Sequence, residues 1–108
     1  MQTTTKSIIR SMKAVFLACD QAMYDAVLSL MDEMEIRGFT GWEELIGRGS
    51  VTGDPHLGSH AWPSMNSALI AVMEDAKASS FLARLRQIDE ENQNQGLRAF
   101  AWNVTEAL

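Results

Sequence analysis

This 108-residue chain contains a single cysteine, Cys19, and no basic stripe. One cysteine cannot form an intramolecular disulfide and cannot supply a cysteine-rich metal site. Nine Lys and Arg residues stand against fourteen Asp and Glu residues, and the net charge of −5 argues against nucleic acid as the partner. No apolar run approaches the roughly 18 residues that cross a bilayer. These absences predict a cytoplasmic protein without direct membrane insertion.

The residues that are present fit one small globular domain. Apolar residues make up 46% of the chain, which argues against disorder and is enough to fill a modest core. Segment 1–11 lacks the apolar centre of a signal peptide, and we interpret it as a polar N-terminal extension. Residues 12–108 are then expected to form a single domain.

Hydrophobic periodicity predicts six elements in the order β-α-β-β-α-β. Four segments have the composition of strands: 13–18, 39–46, 67–73 and 97–104. The first helix is expected to begin after an N-cap at Asp20 and to stop at Gly38, and Asp75 is the expected cap of the second. The predicted core stripes are Met23, Val27, Leu30, Met31 and Met34 in the first helix and Ala78, Phe81, Leu82, Leu85 and Ile88 in the second.

This order of elements predicts a ferredoxin-like α+β sandwich, with a four-stranded antiparallel sheet and both helices on one face. Successive strand residues point to opposite faces, and in these strands both sets contain apolar residues, including Trp42 and Trp102. The face away from the helices would therefore be apolar. Small soluble domains rarely expose such a face, so we expect the protein to self-associate, and a ring is the simplest closed arrangement.

The long loop between the second and third strands, residues 47–66, is rich in side chains that bind ligands or metals. Long loops in compact domains are usually functional or disordered. Asp54, His56 and His60 form D-x-H-x-x-x-H, which offers two imidazoles and a carboxylate to Zn²⁺, Cu²⁺ or Ni²⁺. In a loop that contains Gly and Pro this spacing fixes no geometry. The alternative, that both histidines are solvated or hydrogen-bonded loop residues, stays open.

The same loop and the last strand offer contacts for an anion. Gly47, Gly49 and Gly53 allow backbone N–H groups to approach a phosphate. Arg48 and Arg98 carry guanidinium groups that pair with phosphate or carboxylate through two parallel hydrogen bonds. The alternative for the two arginines is an ordinary place on the surface.

Trp62 precedes a proline where the loop returns to the sheet. The aromatic ring can anchor the returning chain, or it can offer a stacking surface to a base or to a side chain of a partner protein. Ser59 and Ser64 lie near a histidine in sequence but lack an orienting acid and a nucleophile elbow. We therefore assign no catalytic residue and do not expect an enzyme.

The chain resembles the PII signal-transduction proteins and their PII-like relatives, from residue 12 to about residue 105. The element order is the same, and residues 47–66 correspond to the T-loop of the family. The run EIRGFTGWEELIGRGSVTG is similar to the helix end, second strand and loop entrance of the family, G-F-G-R-Q-K-G, with three glycines at the same relative places. The run LRAFAWNV is similar to the last strand, where Arg98 matches a phosphate-contacting lysine. The resemblance implies a homotrimer with ligand clefts between subunits.

Several departures separate this chain from the family members that bind ATP. Those members carry T-G-x-x-G-D-G-K before the last strand, whereas this chain has NQNQGLR. Val51 replaces the glutamine of the metal and 2-oxoglutarate site, and Ser50 replaces the neighbouring arginine. The loop has no tyrosine to be uridylylated, because Tyr24 is the only one. ATP and 2-oxoglutarate are therefore not carried over, no cofactor is assigned, and a divalent metal stays open.

The resemblance implies that the chain is a divergent sensor whose ligand has changed. A small ligand would contact the loop glycines and the two arginines between subunits and order the loop. The loop would then dock through Trp62 on a target protein, for which a membrane transporter is one candidate. The alternative is a trimeric metal-binding protein linked to metal tolerance or efflux, which uses the loop histidines.

Overall fold

The computed structural model describes residues 11–46, 65–92 and 96–108. Within them the elements follow the predicted order: β1 (Met12–Asp20), α1 (Gln21–Glu33), β2 (Thr40–Leu45), β3 (Asn66–Glu74), α2 (Asp75–Glu91) and β4 (Arg98–Asn103). The strands form one antiparallel sheet in the order β2-β3-β1-β4. The predicted ferredoxin-like α+β fold is therefore confirmed. The N-terminal extension and the long loop lie almost entirely outside the described residues, so their assignments stay predictions.

One face of the sheet packs on both helices. In β1 the side chains of Val15, Leu17 and Cys19 are fully buried, and they alternate with residues of the opposite face. The helices add to the same core the residues Met23, Tyr24, Val27, Leu30 and Met31 from α1 and Ala78, Phe81 and Leu85 from α2. The predicted stripes thus match this core, with Met34, Leu82 and Ile88 only partly buried at its margin.

The two helix starts were predicted with unequal success. Asp20 caps α1 as expected, because its carboxylate accepts a hydrogen bond from the backbone N–H of Ala22 at 2.8 Å. The predicted cap of α2 is wrong by one position: Glu74 is the N-cap, without a side-chain capping bond, and Asp75 is already helical. A periodic pattern does not fix a helix boundary to one residue. In the first turn of α2 the carboxylate of Asp75 still stabilises the helix, because it lies near the positive end of the helix dipole.

The predicted stop of α1 at Gly38 is wrong, because the helix ends at Glu33. A Schellman motif closes it, in which the N–H of Ile36 donates to the carbonyl of Met31 at 2.8 Å. Glu35 supplies the left-handed residue of this motif, with φ at 61°. Glycine usually occupies that position because it has no Cβ. The end of the helix was therefore predicted at the nearest glycine, Gly38, and not at Glu35.

Candidate functional site

The sheet face away from the helices is apolar, and the described residues leave it uncovered. Its exposed large side chains are Trp42 (45% exposed), Val72 (50%), Phe100 (60%) and Trp102 (48%). The register places small or partly buried residues between them. We call this surface the open face, formed by Ala14, Phe16, Ala18, Trp42, Ala68, Ile70, Val72, Phe100 and Trp102.

The two tryptophans of the open face lie on opposite edges of the sheet. Trp42 belongs to β2 and pairs with Ala68, while Trp102 belongs to β4 and pairs with Ala14. Four half-exposed large side chains present roughly 400 Å² of apolar surface, which is the size at which an exposed patch usually marks an interaction site. The predicted apolar face is therefore present in the structure.

Arg98 is the one predicted ligand residue that falls within the described ranges. It begins β4, an edge strand, and its Nη1 atom donates to the carbonyl oxygen of Leu97 at 2.7 Å. Arg98 also lines a groove of about 200 Å³ between α2 and the start of β4. We call it the α2–β4 groove, and its other lining residues include Leu82, Leu85, Arg86, Asp89 and Leu97.

A second, larger groove of about 400 Å³ lies where the connection from α1 to β2 passes the end of β3. Two acidic and two basic side chains line it: Glu35, Glu74, Arg37 and Lys77. Ile36 and Met73 contribute buried apolar surface, and Val72 joins the groove to the open face. We call it the α1–β2 groove. Sequence reasoning missed it, because its four charged residues form no motif and come together only through the fold.

The entrance to the long loop is shaped by a β-bulge in β2. Glu43 and Glu44 stand opposite a single residue of β3, Ser67. The hydroxyl of Ser67 donates to the carbonyl oxygen of Glu43 at 2.5 Å, and Nε2 of Gln21 approaches the same oxygen at 3.4 Å. The irregular part of the strand is thus held by side chains from β3 and from α1.

Metal and thiol chemistry receive no support from the part of the chain that the structure describes. Residues 11–46, 65–92 and 96–108 hold no group of three His, Cys, Asp or Glu side chains placed to bind a metal ion. Burial, and to a lesser extent the neighbouring Asp20, raise the pKa of the Cys19 thiol to about 12, so it stays protonated and unreactive near neutral pH. None of the helices within these ranges is long and apolar enough to span a membrane.

The remaining predicted site residues lie outside the described residues: Gly47, Arg48, Gly49, Gly53, Asp54, His56, His60 and Trp62. Their roles in binding a ligand, a metal or a partner therefore stay predictions. Two charged residues of α2 that sequence reasoning did not select, Arg86 and Asp89, line the α2–β4 groove. The side chain of Arg98 belongs by register to the same sheet face as Phe100 and Trp102.

No protein-family model matches the sequence, and no curated protein matches it. Solved structures match its fold. One is CPII, a nitrogen regulatory PII-like protein from Thiomonas intermedia K12, in a structure bound to ADP, AMP and bicarbonate. The two chains superpose with a TM-score of 0.68 at 16% sequence identity, and the match covers 84% of this chain and 83% of CPII. A DUF3240 family protein from Shewanella baltica gives 0.63 at 14% identity, with 90% and 93% covered. A candidate PII-like signaling protein from Thermus thermophilus gives 0.60 at 15% identity, with 84% and 83% covered. The chain therefore has the fold of the PII-like proteins, which its sequence resemblance predicted.

Proposed function

We propose that the protein is a cytoplasmic PII-like regulator and not an enzyme. It would assemble into a homotrimer, bind a small ligand in the clefts between subunits, and signal to a partner protein through residues 47–66. The observation that carries the proposal is the open face, on which Trp42, Phe100 and Trp102 remain about half exposed. The likeness in fold to PII-like proteins supports the regulatory class.

The size of the open face supports assembly, with help from neighbouring contacts. Burial of roughly 400 Å² of apolar surface at about 25 cal/mol per Å² favours association by about 10 kcal/mol for each copy. The loss of translational and rotational freedom costs about 4 to 15 kcal/mol. The two terms are of similar size, so contacts at the edge strands β2 and β4 must add to the interface. A ring uses both edges of every copy.

The α1–β2 groove supports a ligand site near the open face. It is about twice the volume of the α2–β4 groove, and it carries Arg37 and Lys77 on its wall. Neither cation forms an ion pair with another residue of the described ranges. CPII binds ADP, AMP and bicarbonate, which makes anions of these types the first ligands to test here. In this proposal Arg98 and the loop residues Gly47, Arg48, Gly49 and Gly53 would complete the contacts across the subunit boundary.

Native mass spectrometry of the gently purified protein tests the assembly and the ligand together. We expect three subunits for the unaltered chain and a monomer for Trp102→Glu, because a charge on the open face would be buried in the interface. The matched control is Ser80→Glu, which adds the same charge to an exposed position of α2 and should leave the trimer intact. An unaltered chain that is monomeric and carries no retained small molecule would refute the proposal.

A further inference from the structure

Ser67 is a polar side chain among the apolar residues of β3 that face the core. Leu69, Ala71 and Met73 belong to the same face, and Ser67 is fully buried beside them. A buried hydroxyl costs free energy unless it has a hydrogen-bond partner. The hydroxyl of Ser67 has one in the carbonyl oxygen of Glu43, at the bulge of β2. The bulge therefore accounts for a polar residue at this place in the core.

The bulge also decides which side chain follows Trp42 on the open face. Residues of a regular strand that share a face are separated by one residue, whereas Trp42 and Leu45 are separated by two. Both nonetheless belong to the side of the open face, because they pair with Ala68 and Asn66 of β3. The extra residue of the bulge makes up the difference. Leu45 thus extends the apolar surface towards the long loop.

The two glutamates of the bulge are kept off the open face. Glu43 and Glu44 oppose Ser67, whose side chain faces the core, so by register both belong to the helix side of the sheet. The pKa of Tyr24 in α1 agrees with this placement, because burial raises it and the nearby charge of Glu43 raises it further. In a regular ladder Glu44 would pair with Asn66 instead, and its carboxylate would stand on the open face.

We infer that the hydroxyl of Ser67 holds β2 in the bulged register and so keeps a charge out of the assembly surface. Ser67 is then a positioning residue for self-association, and the inference rests on the assembly proposed above. Without the hydroxyl, the carbonyl of Glu43 keeps only the contact with Nε2 of Gln21 at 3.4 Å, which is long for a hydrogen bond. β2 can then slide by one residue into a regular ladder. The carboxylate of Glu44 enters the interface, where an unpaired charge is costly.

Sedimentation velocity of the full chain over a series of protein concentrations measures this effect. We expect Ser67→Ala to weaken association about tenfold or more, because it admits a charge into the interface. Glu44→Gln in the Ser67→Ala chain should restore most of the lost affinity, because it removes that charge. Glu43→Gln is the matched control. It removes the same charge one residue away, on the helix side in either register, and should restore nothing.

Deletion of Glu44 gives a chain that does not need the bulge. Without the extra residue, Leu45 still reaches Asn66 through a regular ladder. In this background Ser67→Ala should therefore leave association unchanged. A tenfold loss in both backgrounds would mean that Ser67 acts through packing and would overturn the inference.

Cross-strand nuclear Overhauser effects report the register whether or not the chain assembles. We expect Leu45 opposite Asn66 in the unaltered chain and Glu44 opposite Asn66 in Ser67→Ala. An unchanged register in Ser67→Ala, or equal rescue by Glu43→Gln and Glu44→Gln, would overturn the inference. A monomeric unaltered chain would refute the proposed assembly, and the register would still decide the role of Ser67.

Discussion

Gly41 on β2 lies next to the hydroxyl of Tyr24 from α1, and its replacement by alanine gives a sharp test of this packing. A Cβ at Gly41 would overlap the hydroxyl oxygen of Tyr24 and would also lie 3.5 Å from the carbonyl oxygen of Ala68. The Tyr24 side chain is buried, and its hydroxyl donates to that same carbonyl at 3.3 Å. The hydroxyl therefore cannot move aside without giving up its hydrogen bond.

The magnitude follows from three terms. Loss of the Tyr24 hydrogen bond costs about 1 kcal/mol, and overpacking against the buried Tyr24 side chain costs about 1 to 3 kcal/mol. Replacement of glycine restricts the unfolded chain and returns about 0.4 to 1 kcal/mol. We therefore expect Gly41→Ala to lower the free energy of unfolding by about 2 kcal/mol. In a Tyr24→Phe background the overlapping oxygen is gone, and the same substitution should cost less than about 1 kcal/mol.

Urea denaturation of the four proteins of this cycle measures the coupling between Gly41 and Tyr24. All samples need the same protein concentration, because association would shift the apparent stability. Gly38→Ala is the matched control, since a Cβ there has no neighbour within 4 Å, and it should be neutral or slightly stabilising. Gly41→Ala with unchanged stability, or with the same cost in both backgrounds, would show that the described contact between α1 and β2 is wrong.

Three further predictions concern Glu35, Cys19 and the two loop histidines. Glu35→Gly should raise the free energy of unfolding by about 1 kcal/mol in thermal or urea denaturation, because glycine adopts the left-handed conformation without strain; Glu35→Ala, which keeps the strain, should not. Folding raises the pKa of the Cys19 thiol, so the contribution of this thiol to stability should be complete below its ordinary pKa of 9.0 and be lost as the pH rises towards about 12. In urea denaturation the unaltered chain should therefore lose more stability over this pH interval than Cys19→Ala. Equal losses would contradict the raised pKa. Calorimetry with Zn²⁺, Cu²⁺ and Ni²⁺ tests the metal prediction for the loop: heat that vanishes in a His56→Ala/His60→Ala variant would support it, and undiminished heat would exclude it.

The sheet and its apolar face could be predicted from the sequence, because both depend on local patterns of apolar residues. Alternation along β4 placed Phe100 and Trp102 on one side, and the structure has them exposed on that side. The end of α1 was missed for the opposite reason. Gly38 carried the usual signal, but the chain reverses three residues earlier at Glu35, where the buried contact between Ile36 and Met31 outweighs the strain.

The two grooves could not be predicted from the sequence. Arg86 and Asp89 have the spacing of an ordinary exposed helix face, and the start of β4 belongs to another element. Only the packing of α2 beside β4 brings Arg86 and Asp89 to a groove that the first residues of β4 also line. The bulge in β2 was equally hidden, since no local rule marks Glu43 and Glu44 as a pair opposite one residue. Tertiary contacts decide such features, and a pattern along the chain does not encode them.

The pairing of Leu45 with Asn66 fixes both ends of the connection that leaves β2 and returns to β3. Ser67, the next residue of β3, also holds β2 through the hydrogen bond from its hydroxyl to the carbonyl oxygen of Glu43. These contacts do not involve the residues between the two strands. For a segment anchored in this way the entropy of closure grows only with the logarithm of its length, and doubling it costs about 0.6 kcal/mol. In homologous or engineered chains this connection can therefore be lengthened, shortened or changed in sequence at little cost in stability. New binding specificities can arise there while the rest of the fold stays the same.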